Sequence, residues 1–192
     1  AHPVSFKGSK GIMGHHSTDF THSQLNYSFE YWLAGGIHHF RRNQLSKRHA
    51  TVGSANFLLK RWNGEALQAN LYAVVGAGKS ELTGKPEDVG MGMLHFDIED
   101  REYYFLTHHL VLKNKDVTEM EETKVRVGVA PYIADFKGIH SWFILDYTNT
   151  KFAGESKKDD LTPFLRIFHN NVLFEIGQSF EGSTKFNYII HF

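Results

Sequence analysis

The end of the chain, residues 184–192, alternates between two kinds of side chain, and this alternation constrains the fold more than any other stretch of the sequence. On one side of an extended strand lie Lys185, Asn187 and His191, with Ile189 as the exception. On the other side lies an apolar series made of Phe186, Tyr188, Ile190 and Phe192. Such a strand separates an apolar environment from an aqueous one, so it belongs to a soluble sandwich or to a barrel wall in a membrane.

An alternating final strand whose last residue is Phe192 resembles the closing strand of Gram-negative outer-membrane β-barrels. The resemblance is to that class as a whole and not to a particular family. It implies an outer-membrane location, contact with outer-membrane lipid, and recognition by the barrel-assembly machinery during biogenesis.

The rest of the chain is compatible with that class. No run of about 18 apolar residues occurs, which excludes a transmembrane helix, so a membrane-spanning form has to be a closed barrel. The 192 residues suit one domain covering 1–192. The sequence begins Ala1-His2-Pro3 without methionine, as expected after removal of a signal peptide, and it has no cysteine, as is common in proteins that cross an oxidising periplasm.

Turn signals divide the chain into about twelve alternating segments. Tight turns such as Asn63-Gly64 and Asp135-Phe136-Lys137 alternate with longer connections such as 79–89 and 149–160. We therefore predict an all-β fold, a closed antiparallel transmembrane β-barrel with short periplasmic turns and longer extracellular loops. The predicted strands are 4–14, 24–33, 37–43, 50–62, 66–78, 90–98, 102–113, 123–134, 138–148, 161–169, 172–180 and 184–192.

The alternation also assigns faces to the strands. Apolar series such as Val125, Val127, Val129, Pro131 and Ile133 would meet lipid, while the charged residues opposite them would line a polar, porin-like lumen. Charges of both signs in a narrow lumen imply paired networks, because an unpaired charge away from water is costly. The predicted lumen-lining residues are Glu30, Lys60, His95, Asp97, Arg126, His140, Asp146, Arg166, Glu175, Lys185 and His191.

Aromatic residues cluster beside the predicted tight turns. Side chains of this kind favour the membrane interface, where the ring is apolar and its tip is wet. We therefore predict an inner aromatic girdle made of Tyr31, Trp32, Trp62, Tyr103 and Tyr104.

Thirteen histidines are many for a chain of this length. Neutral imidazole is a common ligand for zinc and copper, but adjacent histidines on a strand point to opposite faces and cannot hold one ion together. Only in a loop could His15 and His16 converge, joined by His22, so a divalent metal such as zinc or copper is a possible cofactor there. The chain otherwise requires no cofactor.

A possible catalytic pair lies in the same stretch. His15 and Ser17 form a His-x-Ser order that resembles outer-membrane lipid hydrolases, in which a strand places both side chains on one face. The sequence does not identify the acidic or amide partner that such a pair needs. Enzyme activity is therefore an alternative, and a protein that is not an enzyme is the main expectation.

The main functional hypothesis is a narrow channel or binding pore for a small polar solute or ion, with metal-linked transport as its sharper variant. Twelve strands enclose more space than an eight-stranded barrel that side chains fill. Lys+Arg and Asp+Glu balance at 21 each, so a nucleic acid partner is not expected. Three alternatives stay open: an outer-membrane lipid hydrolase, a plugged structural barrel, and a secreted soluble β-sandwich that acts as a binding module.

Overall fold

The protein folds into a closed β-barrel. The structure is a computed structural model that describes residues 2–45, 47–135 and 137–192. Twelve strands each pair antiparallel with the next, and β1 pairs with β12 to close the sheet. The strands are β1 (Lys10–His16), β2 (Phe20–Glu30), β3 (Leu33–Arg42), β4 (His49–Asn63), β5 (Gln68–Ser80), β6 (Glu87–Glu99), β7 (Tyr103–Lys113), β8 (Thr118–Val129), β9 (His140–Phe152), β10 (Lys158–His169), β11 (Val172–Gln178) and β12 (Thr184–His191). The predicted fold class is confirmed.

Burial alternates along the strands as a barrel wall requires. In β9, Phe143 is 57% exposed and the next residue, Ile144, is 2% exposed. The same alternation of exposed apolar and buried residues runs through β2, where Leu25, Tyr27 and Phe29 point outward. The outward side chains therefore form an apolar band suited to lipid. Among residues 2–45, 47–135 and 137–192, no helix is long and apolar enough to cross a membrane.

The short-turn end carries the exposed aromatic side chains. Tyr31, Trp32, Trp62 and Tyr103 are all exposed there, in the positions expected of an interfacial girdle. Tyr104 is the exception to the prediction, because it is the inward residue of β7 and is buried in the lumen.

Turn 100–102 joins β6 to β7 at this end. The backbone N–H groups of Tyr103 and Glu102 donate to Asp100 Oδ1 over 2.6 and 2.7 Å, and these bonds lower the pKa of that carboxyl. The bonds fix the turn locally, as an aspartate side chain does when it caps its own following backbone.

The connection between β8 and β9 differs from the prediction. Strand β8 ends at Val129, because Pro131 has no N–H for a ladder hydrogen bond, and residues 130–139 form an irregular connection. The hydroxyl of Tyr132 donates to Ile139 O over 2.9 Å within it. Pro131 and Ile133, which we predicted on a strand, are therefore not strand residues. Phe136, the centre of the predicted tight turn, lies outside the described residues.

A β-bulge in β4 changes which of its residues face the lumen. Lys60 pairs with Leu71, which alternates with the buried Tyr72, so Lys60 points outward. Arg61 pairs with the buried Asn70 and takes the inward position. The prediction that Lys60 lines the lumen is wrong, because the bulge shifts the alternation by one residue.

Apolar side chains fill one half of the barrel interior. They project inward from β3 to β8 near the end opposite the short turns, which we call the outer end, and they pack closely together there. The cluster consists of Phe40, Ala50, Val52, Val74, Leu82, Val89, Met91, Leu110, Leu112 and Met120. The lumen is therefore polar only in part, since strand alternation identifies inward residues without requiring them to be polar.

The segment before β1 enters the barrel from the short-turn end. Strand β1 begins at Lys10 and not at residue 4 as predicted, and residues 2–5 lie inside the lumen. Val4 is 1% exposed and packs against Ala34 and Tyr72. The segment fills the lumen at the short-turn end, so only the part of the lumen between it and the opposite end stays open.

Candidate solute-binding cavity

A cavity of about 180 Å³ occupies the lumen beyond the N-terminal segment. Its floor includes Pro3, and the residues at its mouth include Ser17, Asp19 and Ser183 from the outer connections. On one side lie apolar side chains at the border of the packed half, such as Phe20 and Phe152. On the other side lie charged residues of β8 to β12, so the cavity has an apolar and an ionic wall.

Two arginines and two carboxylates form a buried network in the ionic wall. Arg126 Nη2 donates to Glu175 Oε1 over 2.7 Å, and its Nε lies 2.8 Å from Asp146 Oδ2. Arg166 Nε donates to Glu175 Oε2 over 2.5 Å, and Asn187 adds a bond of 2.9 Å to the same carboxylate. Each buried charge therefore has a partner of opposite sign, which offsets the cost of removing it from water.

Lys124 has a weaker partner than the other lysines of the cavity. Its Nζ lies 4.0 Å from Glu122 Oε1, and its side chain is only 15% exposed. Glu122 also accepts a bond of 2.8 Å from His108 Nε2. By contrast, Lys185 contacts Asp160 at 2.6 Å and Lys158 contacts Asp19 at 2.8 Å. The ammonium of Lys124 is therefore the cation of the cavity that is most available to an added anion.

One chain of polar side chains runs from the cavity to the N-terminal segment through β6 to β8. It begins at the Glu122–His108 pair, and His108 lies directly across from His95 with ring centroids 6.1 Å apart. His95 Nε2 donates to Asp97 Oδ2 over 3.1 Å, and His2 Nδ1 donates to the same oxygen over 3.0 Å. Asp97 thus fixes the first described residue of the segment.

A second chain reaches the segment through β2 to β4. His22 Nε2 lies 2.9 Å from His38 Nδ1, and His38 Nε2 lies 3.1 Å from Ser54 Oγ. Ser54 donates to Asn56 Oδ1 over 2.8 Å, and Asn56 donates to Pro3 O over 2.9 Å. Because the Ser54 proton goes to Asn56, His38 Nε2 donates to Ser54 and His22 donates to His38. Both chains therefore connect the cavity with the segment that forms its floor.

The three predicted metal ligands do not converge. His15 and His22 face each other across β1 and β2 inside the barrel, with ring centroids 5.9 Å apart. His16 points outward and stacks on Phe186 at 4.5 Å. The prediction placed these histidines in a loop, but β1 extends to His16, so strand alternation separates them. In the described part of the chain, no group of three or more such side chains is placed to hold a metal ion.

The predicted catalytic pair is not brought together either. The hydroxyl of Ser17 donates to Phe20 O over 3.1 Å and accepts from Phe20 N, which closes the turn between β1 and β2. His15 Nδ1 instead donates to Asn187 Oδ1 over 3.1 Å. The Ser17 hydroxyl therefore serves the turn, and the arrangement of a nucleophile beside its base is not assembled here.

The remaining predicted lumen residues lie near the short-turn end. Glu30 sits at the rim and pairs with Lys7 at 2.7 Å, outside the cavity. This pair raises the pKa of the Lys7 ammonium, because the carboxylate of Glu30 accepts its hydrogen bond. His140 faces inward against Phe168, and His191 is half-buried on β12.

Several residues of the two polar chains were not among the predicted site residues. Strand alternation alone would have placed His38 and His108 inside, since they share a face with other inward residues. His2 carried no such signal, because its segment is not part of the sheet.

Comparison with known proteins identifies the fold. No protein-family model matches the chain, and no curated protein sequence does. The chain is similar to the solved structure of the KdgM porin in complex with disordered oligogalacturonate, with a TM-score of 0.55 and 9% identity over 96% of this chain and 98% of that one. It is also similar to LpxR from Salmonella typhimurium, with a TM-score of 0.50 and 10% identity over 96% and 99%. The fold is therefore that of outer-membrane β-barrels, as the resemblance of the last strand implied.

Proposed function

We propose that this protein is a binding pore in the outer membrane of a Gram-negative bacterium, and that it takes a small anionic solute into its outward-facing cavity. The observation that carries this proposal is Lys124, a largely enclosed ammonium whose nearest carboxylate oxygen is 4.0 Å away. A solute carboxylate would supply the close partner that this group lacks. The apolar wall would receive the rest of a small solute.

The size and charge of the cavity limit the solute. A volume of about 180 Å³ suits a molecule of roughly one ring and not a long chain. Although the KdgM porin structure contains oligogalacturonate, the cavity cations Arg126, Arg166, Lys158 and Lys185 already have carboxylate partners here. We therefore propose a solute with a single negative charge and not a polyanion.

Passage to the periplasm would require movement of the N-terminal segment. The segment is held by hydrogen bonds to Asp97 and Asn56 and by the packing of Val4. The bond to Pro3 O contributes about 1 kcal/mol and the bond to the Asp97 carboxylate about 1.5–3 kcal/mol, so displacement of the segment lies within the range of a gating motion.

Calorimetry on the detergent-folded protein tests the binding step. Benzoate and benzylamine have the same ring and opposite charge, and we expect binding of benzoate only. Lys124→Met should weaken that binding about tenfold or more, because a hydrogen bond to a charged group contributes about 1.5–3 kcal/mol. The matched control is Lys151→Met, which changes an exposed outward lysine of β9. Equal binding of the two probes, or unchanged benzoate binding in Lys124→Met, would contradict the proposal.

A further inference from the structure

The outward face of β1 to β4 changes character near the outer end of the barrel. The register places Ile12, Leu25 and Ile37 side by side in one outward row, which belongs to the apolar band. Two rows further out, His16 lies beside Thr21, Thr21 beside Arg41, and Arg41 beside His49. The apolar band therefore ends on this side in a row of basic and hydroxyl side chains.

The outward row between the apolar row of Ile12 and the outer row of His16 is also polar. Ser23 pairs with His39 and His39 pairs with Thr51, whose hydroxyl lies 3.0 Å from His39 Nδ1. The rings of His39 and His49 stack with centroids 5.9 Å apart, so the two rows form one continuous surface. We call the surface made by His16, His39, Arg41 and His49 the β1–β4 basic patch.

The outward rows of β1 to β4 that form this patch contain no acidic side chain, and the nearest one, Glu81, lies at the edge of the patch, where its Oε2 is 3.2 Å from His49 Nε2. Arg41 is exposed, its Nε is 3.4 Å from Asn43 Oδ1, and it has no carboxylate within 4.0 Å among the described residues. Elsewhere at the same end the outward charges alternate in sign, since Lys79 pairs with Asp88 and Glu121 lies directly across from Lys151. The positive charge of Arg41 thus has no carboxylate partner among the described residues, and imidazole and hydroxyl groups surround it on the barrel wall.

The position of the patch indicates what it meets. It lies at the outer limit of the apolar band and faces away from the barrel axis, which is the level of the lipid headgroups in a membrane. An arginine guanidinium binds phosphate oxygens through two parallel hydrogen bonds, and imidazole N–H groups add further donors. The patch spans three inter-strand spacings, about 14 Å, which is the scale of a phosphorylated sugar headgroup.

We propose that the β1–β4 basic patch binds the phosphate of a phosphorylated glycolipid in the outer leaflet. Acyl chains of the same lipid would lie on the apolar row of Ile12, Leu25 and Ile37 directly below. This site is on the outer wall of the barrel, so it is separate from the cavity, and its test does not depend on solute binding.

Native mass spectrometry of the detergent-folded protein tests the proposal. The probes are diphosphorylated lipid A, the same glycolipid after removal of both phosphates, and the phospholipid phosphatidylglycerol. We expect retention of diphosphorylated lipid A at a one-to-one ratio, with at least about tenfold less retention by the double variant Arg41→Gln, His39→Gln. Lys151→Gln, which removes one charge from the sector of mixed sign, should retain the lipid as the unaltered protein does.

Three results would overturn the proposal. Equal retention of the dephosphorylated glycolipid would show that the phosphate is not recognised. Equal retention of phosphatidylglycerol would show that any anionic headgroup suffices. An equal loss in Lys151→Gln and in the double variant would show a general effect of net charge. Because both positions are exposed on the barrel surface, heat-modifiable migration in gels verifies that each variant is folded.

Discussion

At residue 78 the strands β4 and β5 approach too closely for any side chain. A Cβ atom built on Gly78 would lie 2.8 Å from the Val52 Cα, a backbone atom that has little freedom to move. Gly92 on β6 is different, because a Cβ there would meet no atom within 4 Å. Both residues are glycine, but only position 78 lacks the room for a Cβ atom.

We therefore expect Gly78→Ala to lower the free energy of unfolding by about 1–3 kcal/mol, as overpacking does, because the backbone of β4 must shift. Gly92→Ala should change it by less than about 0.5 kcal/mol, the range of surface substitutions. Urea unfolding followed by tryptophan fluorescence measures both. Similar losses in the two variants would show that strand propensity, and not the close approach, sets the effect.

Individual residues also show how far the sequence predicts the site. Strand alternation placed Arg126, Asp146, Arg166 and Glu175 inside, because each sits at an inward position of an unbroken strand. The pairing of Arg126 with Glu175 joins β8 to β11, which two other strands separate in the sheet. It depends on the curvature of the closed barrel and on the reach of each side chain, which alternation does not specify. Lys60 was misplaced because a bulge has no clear sequence signal.

At the scale of the strands, Glu175 links β11 to three other strands. It accepts bonds from Arg126 of β8, Arg166 of β10 and Asn187 of β12, and it is 1% exposed. Its carboxylate therefore compensates two guanidinium groups within the barrel wall. Strand β11 has only seven residues, so we expect its stability to depend strongly on the bonds of this side chain.

We expect Glu175→Gln to destabilise the barrel by about 3–5 kcal/mol, because it leaves a buried charge without its partner. Glu30→Gln is the control, since Glu30 pairs with Lys7 at the exposed rim, where an ion pair contributes little to stability. The midpoint of thermal unfolding in detergent measures both. A loss for Glu175→Gln no larger than that for the control would mean that water reaches the network.

For the whole molecule, the N-terminal segment decides whether the lumen is continuous. The sequence predicted a strand there, since residues 4–14 alternate, and the structure shows that the first of these residues leave the sheet and enter the barrel. Local alternation does not reveal this, because the partners of the segment, Asn56 and Asp97, lie far along the chain.

The double variant His2→Ala, Asn56→Ala removes the two hydrogen bonds that tie the segment to Asp97 and to β4. Because these anchors hold the floor of the cavity, we expect more frequent or larger single-channel openings than in the unaltered protein. Conductance in planar bilayers measures this, with Lys151→Gln as a control of unchanged conductance. A folded double variant that conducts no more than the unaltered protein would contradict the assignment of the segment as the closing element.

The position of the segment also sets an order of events in assembly. The bonds of residues 2 and 3 need β4 and β6, which are made later. Closure of the wall joins β1 to β12, and it ends with two backbone hydrogen bonds between Lys10 and Phe192. Contacts between such distant residues form late because the chain entropy they cost is large. The beginning of the chain must therefore wait in the growing sheet or enter from the short-turn end once the seam is shut. Its docking would then mark the completion of the barrel, so a protease that cuts the free segment would distinguish unfinished molecules from finished ones.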